Sequence, residues 1–192
     1  MKQVLFFLVT FSTLCFAQGT IEGGYGLKFG ASRDEVRAMA TRRQWIETMA
    51  PKSECLSYHS NKTLVPENIV FTFERARLVC IDATFSEIDA NTTMVVYMDL
   101  ARTFTEKYGS PLISTNPGDR YLQGDRRDME RVKAGLTQIH DTWRTASPAA
   151  TPRPSFGKRE GFIKTEVTGS GDIHVEFSEG DLILPDPLDY RK

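Results

Sequence analysis

Residues 69–85 read IVFTFERARLVCIDATF, and apolar and polar side chains alternate along both halves of this segment. The apolar members share one face in each half: Ile69, Phe71 and Phe73 in the first, then Val79, Ile81, Ala83 and Phe85 in the second. A period of two in β-branched and aromatic residues predicts two strands, and the polar break at Arg75-Ala76 predicts a tight turn between them. The segment is therefore interpreted as an antiparallel hairpin with one buried face.

Two further strand signals precede this hairpin. The stretches Trp45–Met49 and Glu54–His59 have strand composition, and Pro51 separates them. Short runs with turn residues between them are typical of strands that pair with their sequence neighbours. Together with the hairpin, they predict an antiparallel β-meander.

Two helices flank the meander. Ser32 followed by Glu35 is a capping box, which predicts a short helix from about Arg33 to Arg42. A longer amphipathic helix is expected over Asn91–Tyr108, where Gly109 provides a left-handed stop and Pro111 prevents continuation. Met94 and Met98 lie on its apolar stripe, which is expected to cover the sheet.

The chain after Pro111 has weaker signals. A peripheral helix is expected over residues 126–136, a strand over Ile139–Thr145, and a hairpin over Phe162–Thr168 and Asp172–Ser178. Residues 147–161 contain three prolines and predict an exposed loop, and Leu182–Leu184 is interpreted as an edge segment. The predicted fold class is α+β: an antiparallel β-meander with one long and one short helix packed on a face, plus a C-terminal β-hairpin.

Composition limits the class of protein. The chain has 192 residues, 40% of them hydrophobic and 26% charged, and 24 basic side chains oppose 25 acidic ones. A disordered chain would combine low hydrophobicity with a large net charge. A protein whose main partner is nucleic acid would need a basic surplus, which this chain lacks.

The first seventeen residues predict a signal peptide. Lys2 is followed by an apolar stretch from Val4 to Phe16, and Ala17 fits the small residue before a cleavage site. The apolar stretch is shorter than the roughly 20 residues that span a bilayer. The expected mature chain is a single α+β domain over 18–192 with no transmembrane segment, periplasmic or secreted. Lipidation at Cys15 is the less favoured alternative, because Leu14 is bulky.

Cleavage would leave two cysteines. In an oxidising compartment an isolated pair is usually a disulfide, so a bridge between Cys55 and Cys80 is expected. A redox or metal pair is the alternative, but the spacing is not that of a CxxC motif. No cofactor is predicted.

Motifs for catalysis are missing from the sequence: it has no nucleophile elbow, no HExxH, no Walker loop and no dinucleotide fingerprint. His59, His140 and His174 would form a cluster if their strands were neighbours, but their spacing does not enforce a metal site, and none is predicted. Asp82, Glu166 and Glu176 alternate with apolar neighbours, which suits a sheet with one solvated face. Two of these acids would support general acid–base chemistry if they lay close together and one had a raised pKa.

Three segments resemble a class of small bacterial cell-envelope proteins. They are GLKFGAS at Gly26–Ser32, RLVCID at Arg77–Asp82 and KYGSP at Lys107–Pro111. The class includes the outer-membrane assembly lipoprotein BamE (the SmpA/OmlA type), and the resemblance covers roughly Gly26 to Pro111. It implies an α+β domain that acts as a binding scaffold and not as an enzyme. The lipobox of that class is missing here.

These observations favour an exported, disulfide-stapled, non-catalytic binding or scaffold protein whose partner is an envelope or secreted protein. Trp45, Tyr121 and Trp143 are candidate partner contacts. The alternatives are a small secreted hydrolase or metal-dependent enzyme, and an inhibitor or immunity protein for a secreted toxin or hydrolase. Asn61 and Asn91 begin Asn-x-Thr triplets, which accept glycans in a eukaryotic secretory pathway.

Overall fold

The structure is a computed structural model that describes residues 19–60, 67–86, 90–115, 130–132, 134, 139–144 and 160–180. The predicted signal peptide, Tyr121, Leu182–Leu184 and most of the predicted 126–136 helix and Pro-rich loop lie outside the described residues.

The described residues form two helices of 11 and 19 residues and eight strands, and residues 130–132 are also helical. The helices are α1 (Arg33–Arg43) and α2 (Ala90–Tyr108). The strands are β1 (Ile46–Thr48), β2 (Cys55–His59), β3 (Asn68–Glu74), β4 (Arg77–Phe85), β5 (Ile113–Ser114), β6 (Ile139–Arg144), β7 (Glu160–Val167) and β8 (Ile173–Gly180). The α+β class is therefore confirmed.

All eight strands form one antiparallel sheet in the order β1-β2-β3-β4-β8-β7-β6-β5. In the described residues, each half of the sheet is a four-stranded meander that follows a helix, and the two meanders join through their last strands, β4 and β8. The prediction of one meander plus a separate C-terminal hairpin was therefore incomplete. The short strand β5 was not predicted, because two residues carry no periodic signal.

One face of the sheet forms the hydrophobic core. In β3 the buried residues are Ile69, Phe71 and Phe73, as the alternation predicted. In β4 the prediction was wrong at one position, because the register shifts between Thr72 and Phe73 and places Leu78, not Val79, in the core. Such a bulge reverses which alternate residues face inward on one side of it.

The hairpin turn between β3 and β4 is as tight as the sequence indicated. Arg75 and Ala76 have φ angles of 49° and 65°, which place two residues with side chains in the left-handed region. This is the backbone form of the two-residue turns that match the twist of a β-hairpin.

Helix α1 begins at the predicted cap. The Ser32 backbone N–H donates to Glu35 Oε2 at 2.7 Å, and the Glu35 N–H donates to Ser32 Oγ at 3.3 Å. Val36, Met39 and Ala40 are buried in the core, and Arg33 lies 4.7 Å above the ring centre of Phe73. These contacts place α1 on the core face of the N-terminal meander.

Helix α2 covers the core face of the C-terminal meander. Its buried stripe includes Met94, Tyr97 and Ala101, and Phe104 packs edge-on against Trp143 at 5.4 Å and Phe177 at 5.8 Å. The stop is as predicted: Gly109 has a φ of 86° and donates its N–H to the Thr105 carbonyl at 2.9 Å. None of the helices described in residues 19–180 is long and apolar enough to cross a membrane.

The segment before α1 completes this layer of the core. Ile21 is buried, and a Cβ at Gly161 of β7 would lie 2.0 Å from the Ile21 carbonyl oxygen. A Cβ at Gly24 would lie 2.9 Å from the Phe177 ring. The segment before α1 therefore approaches β7 at Gly161 and β8 at Phe177 so closely that a side chain at Gly161 or Gly24 would have no room.

Candidate functional site

Ionisable side chains lie on the face of the sheet opposite the two helices. Pairing registers place on it every second residue of the four strands around the seam between the meanders. We call this surface the polar face. Its central side chains are Asp82, Thr84, His174, Glu176, Lys164, Glu166, His140 and Thr142.

Two carboxylates face each other at the centre of the polar face. Asp82 of β4 is the direct cross-strand partner of Glu176 of β8. Directly opposed side chains on neighbouring strands have Cβ atoms roughly 5 Å apart. The pair sits on the seam between the two meanders, at the middle of the eight-stranded sheet.

Basic groups surround this acidic pair on two strands. Glu176 is opposite Lys164, and His174 is opposite Glu166. His174 Nδ1 lies 3.9 Å from Asp82 Oδ1, and Lys164 Nζ lies 3.1 Å from Glu166 Oε2. These charged side chains remain partly open to solvent, with His174 42% and Asp82 49% exposed, whereas His140 and Thr142 on β6 are buried.

The environment perturbs two of these groups. The pKa of Asp82 is raised, first by desolvation and then by Glu176, while His174 and Lys164 act in the opposite direction. The pKa of His140 is lowered, first by desolvation and then by the positive charge of Lys164. Asp82 on β4 and His140 on β6 are three strand positions apart, so each shift is local.

The structure brings the three histidines onto one row of the polar face but not into one site. His174 and His140 lie on either side of Glu166, while His59 is on β2, three strands from His174. The His59 ring is 3.4 Å from Asn68 Oδ1, and the His140 ring is 3.3 Å from Thr115 Oγ1. Among the described side chains, no three of the His, Cys, Asp or Glu type are grouped as a metal ion would need.

The predicted disulfide was wrong. Cys55 and Cys80 are free thiols on β2 and β4, and both pair with Thr72 of the intervening β3. Two strand spacings separate their Cα atoms by roughly 10 Å, whereas a disulfide needs less than about 7 Å. Desolvation, with smaller effects of Glu176, Asp82 and Cys55, raises the pKa of Cys80 to about 12.

Of the three aromatic residues predicted as partner contacts, the structure describes Trp45 and Trp143. Trp143 is 1% exposed and belongs to the core, so its ring is not available to a partner. Trp45 is half-buried, 6.5 Å from the Phe71 ring and with Arg43 5.4 Å above its own ring. Tyr121 lies outside the described residues.

Three buried polar side chains, from α2, β6 and β7, are hydrogen-bonded to one another on the core side of the sheet. The Tyr97 hydroxyl of α2 donates to Asp141 Oδ2 at 3.0 Å, and the Thr165 hydroxyl lies 3.4 Å from the Tyr97 oxygen. Burial is the main cause that raises the pKa of Tyr97, with Asp141 next. This connection holds α2 in register with the strands that carry His140 and Glu166.

Sequence reasoning identified the three carboxylates of the polar face but missed Lys164. The signal was available, since Lys164 and Glu166 are two residues apart on one predicted strand and so share a face. It missed the Tyr97–Asp141 pair for a different reason, because nothing local joins residues on a helix and a distant strand.

Comparison with known proteins adds no assignment. The chain matches no protein-family profile, no curated protein and no solved structure. The polar face is therefore interpreted from its own geometry.

Proposed function

We propose that this chain is an exported, non-catalytic binding protein of the bacterial envelope that holds a protein partner against its polar face. The observation that carries the proposal is the pairing of Asp82 with Glu176 at the centre of that face. Like charges directly opposite each other destabilise a sheet. Departures from local rules of this kind are expected where a sequence serves function at some expense of stability.

The layout of the sheet supports the same proposal. Both helices pack on the core face, and the charged side chains around the seam are partly open to solvent. A surface with partly exposed charged groups suits recognition of another protein, where rim and surface charges contribute to specificity and association rate. The resemblance of Gly26–Pro111 to small envelope scaffold proteins points to the same class of function.

Export is proposed on the pattern of Met1–Ala17 alone. The two remaining cysteines no longer support an oxidising compartment, because they are free thiols on non-adjacent strands. The periplasmic or secreted location is therefore tested separately, by whether the purified native chain begins after Ala17.

Capture from an envelope extract with matched charge variants tests the binding proposal. The double variant Asp82→Lys/Glu176→Lys changes the centre of the polar face. The control Asp99→Lys/Glu106→Lys changes two exposed acids on α2, which lies on the opposite face of the sheet. Wild type, double variant and control are crosslinked to the extract, and the captured proteins are quantified by mass spectrometry after circular dichroism has confirmed folding.

We expect at least one envelope protein to be captured by wild type and control and lost from the double variant. Its crosslinks should map to β4, β7 or β8. Capture of the same proteins in the same amounts by all three forms would contradict a role for the polar face.

A small hydrolase is the second candidate, and one observation favours it. Asp82 has a raised pKa next to a second carboxylate, which is the arrangement that lets one acid donate a proton while the other stays ionised. Wild type and Asp82→Asn are compared on panels of chromogenic ester, glycoside and phosphate substrates. Turnover by wild type that Asp82→Asn abolishes would establish this candidate in place of the binding role, and equal rates in both would remove it.

A further inference from the structure

We propose that the outer edge of β1 is a second docking surface, which pairs with an extended segment of a partner protein that has a basic residue between two apolar ones. The proposal goes beyond the polar face, because it concerns the rim of the sheet and recognition through the main chain. It depends on the position of β1 in the sheet, the exposure of its residues and the charge of Glu47.

Strand β1 leaves one side of its backbone open. It is the first strand of the sheet, so β2 is its only neighbour among the described strands. In an antiparallel pair every second residue exchanges both backbone hydrogen bonds with the partner strand, and the residues between them direct their N–H and C=O groups away from it. All three residues of β1 are exposed. The outward groups are therefore accessible to another extended chain, which is the chemistry of β-strand addition.

Exposed apolar side chains are concentrated at this edge. Among the described residues four large hydrophobic side chains are exposed, and two of them are Ile46 at 56% and Met49 at 96%. The other two are Val95 on α2 and Leu112 beside β5. An open strand edge with exposed apolar side chains is a template for pairing with another chain.

Contacts at both ends hold β1 in place before a partner arrives. The Trp45 N–H donates to the Ala40 carbonyl of α1 at 3.0 Å, and Arg43 lies 5.4 Å above the Trp45 ring. At the other end Thr48 Oγ1 donates to Ser57 Oγ of β2 at 2.9 Å. A strand that is already ordered loses less conformational entropy when it binds. Although β1 is short, it is therefore preorganised for pairing.

Glu47 is the middle residue of β1 and selects the charge of the partner. It lies opposite Tyr58 of β2 and forms no ion pair with another described residue. Arg37 of α1, whose charge also reaches Tyr58, is 3.6 Å from Asp34. A lysine or arginine directly opposite Glu47 on an incoming strand would therefore supply the cross-strand ion pair that β1 lacks.

The same glutamate disfavours a second copy of this chain as the occupant. Antiparallel pairing of two β1 strands about a two-fold axis at their centre would place Glu47 opposite Glu47, and directly opposed like charges are destabilising. Charges on edge strands are a common device against self-association. Ile46 and Thr48 lie on the other side of the strand, so they would meet the apolar residues on either side of the partner's basic residue.

Two peptides serve as probes: acetyl-Ser-Thr-Val-Lys-Val-Thr-Ser-amide and the same peptide with glutamate in place of lysine. Their binding to the full-length chain is measured by amide shifts in two-dimensional NMR. Four forms are compared after circular dichroism has confirmed folding: wild type, Glu47→Lys, Ile46→Thr and the control Leu112→Thr. Leu112 is matched to Ile46, because their exposed fractions are 52% and 56% and they lie at opposite edges of the sheet.

We expect wild type to bind the lysine peptide roughly fivefold more tightly than the glutamate peptide, the size of a change from an attractive to a repulsive cross-strand charge pair. Glu47→Lys should reverse this preference. Ile46→Thr should weaken binding of the lysine peptide about threefold, and Leu112→Thr should leave it unchanged. The shifts should centre on β1 and β2, and amide exchange in β1 should slow when the peptide is bound.

Shifts confined to other surfaces, or equal affinity of wild type for the two peptides, would overturn the proposal. A preference that Glu47→Lys leaves unchanged would do the same. A wild-type dimer in sedimentation that Ile46→Thr dissociates would assign the edge to a second copy instead of a partner. None of these results decides the role of the polar face, which is judged by capture with Asp82→Lys/Glu176→Lys and the α2 control.

Discussion

The Tyr97 hydroxyl donates a hydrogen bond of 3.0 Å to Asp141 Oδ2, and neither side chain has any exposed surface. The bond connects α2 to β6, directly behind His140 on the opposite face of the same strand. A buried carboxylate that loses a donor bears a desolvation penalty that is not offset. The position of α2 on the sheet is expected to depend on this contact.

Tyr97→Phe is therefore predicted to lower the free energy of unfolding by about 1–3 kcal/mol, because it removes the hydroxyl and retains the ring. Urea denaturation followed by circular dichroism measures the change. Tyr108→Phe on the same helix, where the ring packs against Phe104, is the control and should change stability by less than about 0.5 kcal/mol. Equal losses in both variants would contradict a specific role for the hydroxyl.

Asp82→Asn is predicted to stabilise the protein at neutral pH. The raised pKa means that the folded state holds this proton more tightly than the unfolded chain, so stability increases as pH falls through the folded-state pKa. Removing the charge should raise the free energy of unfolding near neutrality by roughly 0.5–1 kcal/mol, the cost of a like-charged cross-strand pair. The gain should disappear in acid, and denaturant titrations at several pH values test both parts.

Asp99→Asn is the control for that comparison. Asp99 is exposed and lies 2.9 Å from Arg102, so its neutralisation should leave stability unchanged or slightly lower. A loss of stability in Asp82→Asn would show that the aspartate is a favourable partner of His174 and not a strained neighbour of Glu176.

His140 is predicted to make the protein less stable as pH falls from about 7.5 to about 5.5. Because its pKa is lowered in the folded state, the unfolded chain binds a proton first, and unfolding becomes easier in acid. His140→Gln should flatten this slope in pH-dependent urea denaturation, and His59→Gln should retain it. A slope that both variants leave unchanged would assign the effect to other groups.

Gly161→Ala is predicted to destabilise the fold by about 2–3 kcal/mol. The new methyl group would lie 2.0 Å from the Ile21 carbonyl oxygen, and a backbone atom cannot move aside as a flexible side chain can. Gly169→Ala is the control, since among the described residues its Cβ would meet only the Val132 carbonyl oxygen, at 3.5 Å. Thermal denaturation of both variants tests whether residues before α1 are packed on the sheet as described.

Both thiols are predicted to be free. The chain without residues 1–17 should gain two alkyl groups in concentrated guanidinium without reductant, as measured by intact mass. Under native conditions alkylation should be slow, because Cys55 is buried and the pKa of Cys80 is raised to about 12, which leaves little thiolate. An unlabelled chain that becomes reactive only after reduction would restore the disulfide.

Local sequence patterns predicted the elements well. Strand β3 and helix α2 were each located to within one residue, because alternation along 69–74 and the helical stripe ending at Gly109 are properties of consecutive residues. The cap at Ser32 and the turn at Arg75-Ala76 were recognised for the same reason. The errors at Leu78 and Val79 come from a bulge, which depends on how β4 pairs with β3.

The sequence by itself determined the α+β class, the core faces of most strands and the three carboxylates that share a solvated face, since each follows from periodicity over a few residues. Only the tertiary structure decided which strands are neighbours. The strand order places β3 between Cys55 and Cys80, and the register of β4 with β8 places Asp82 directly opposite Glu176. The physical reason is that strand order and register follow from packing of the whole core against two helices, and no short segment contains that information.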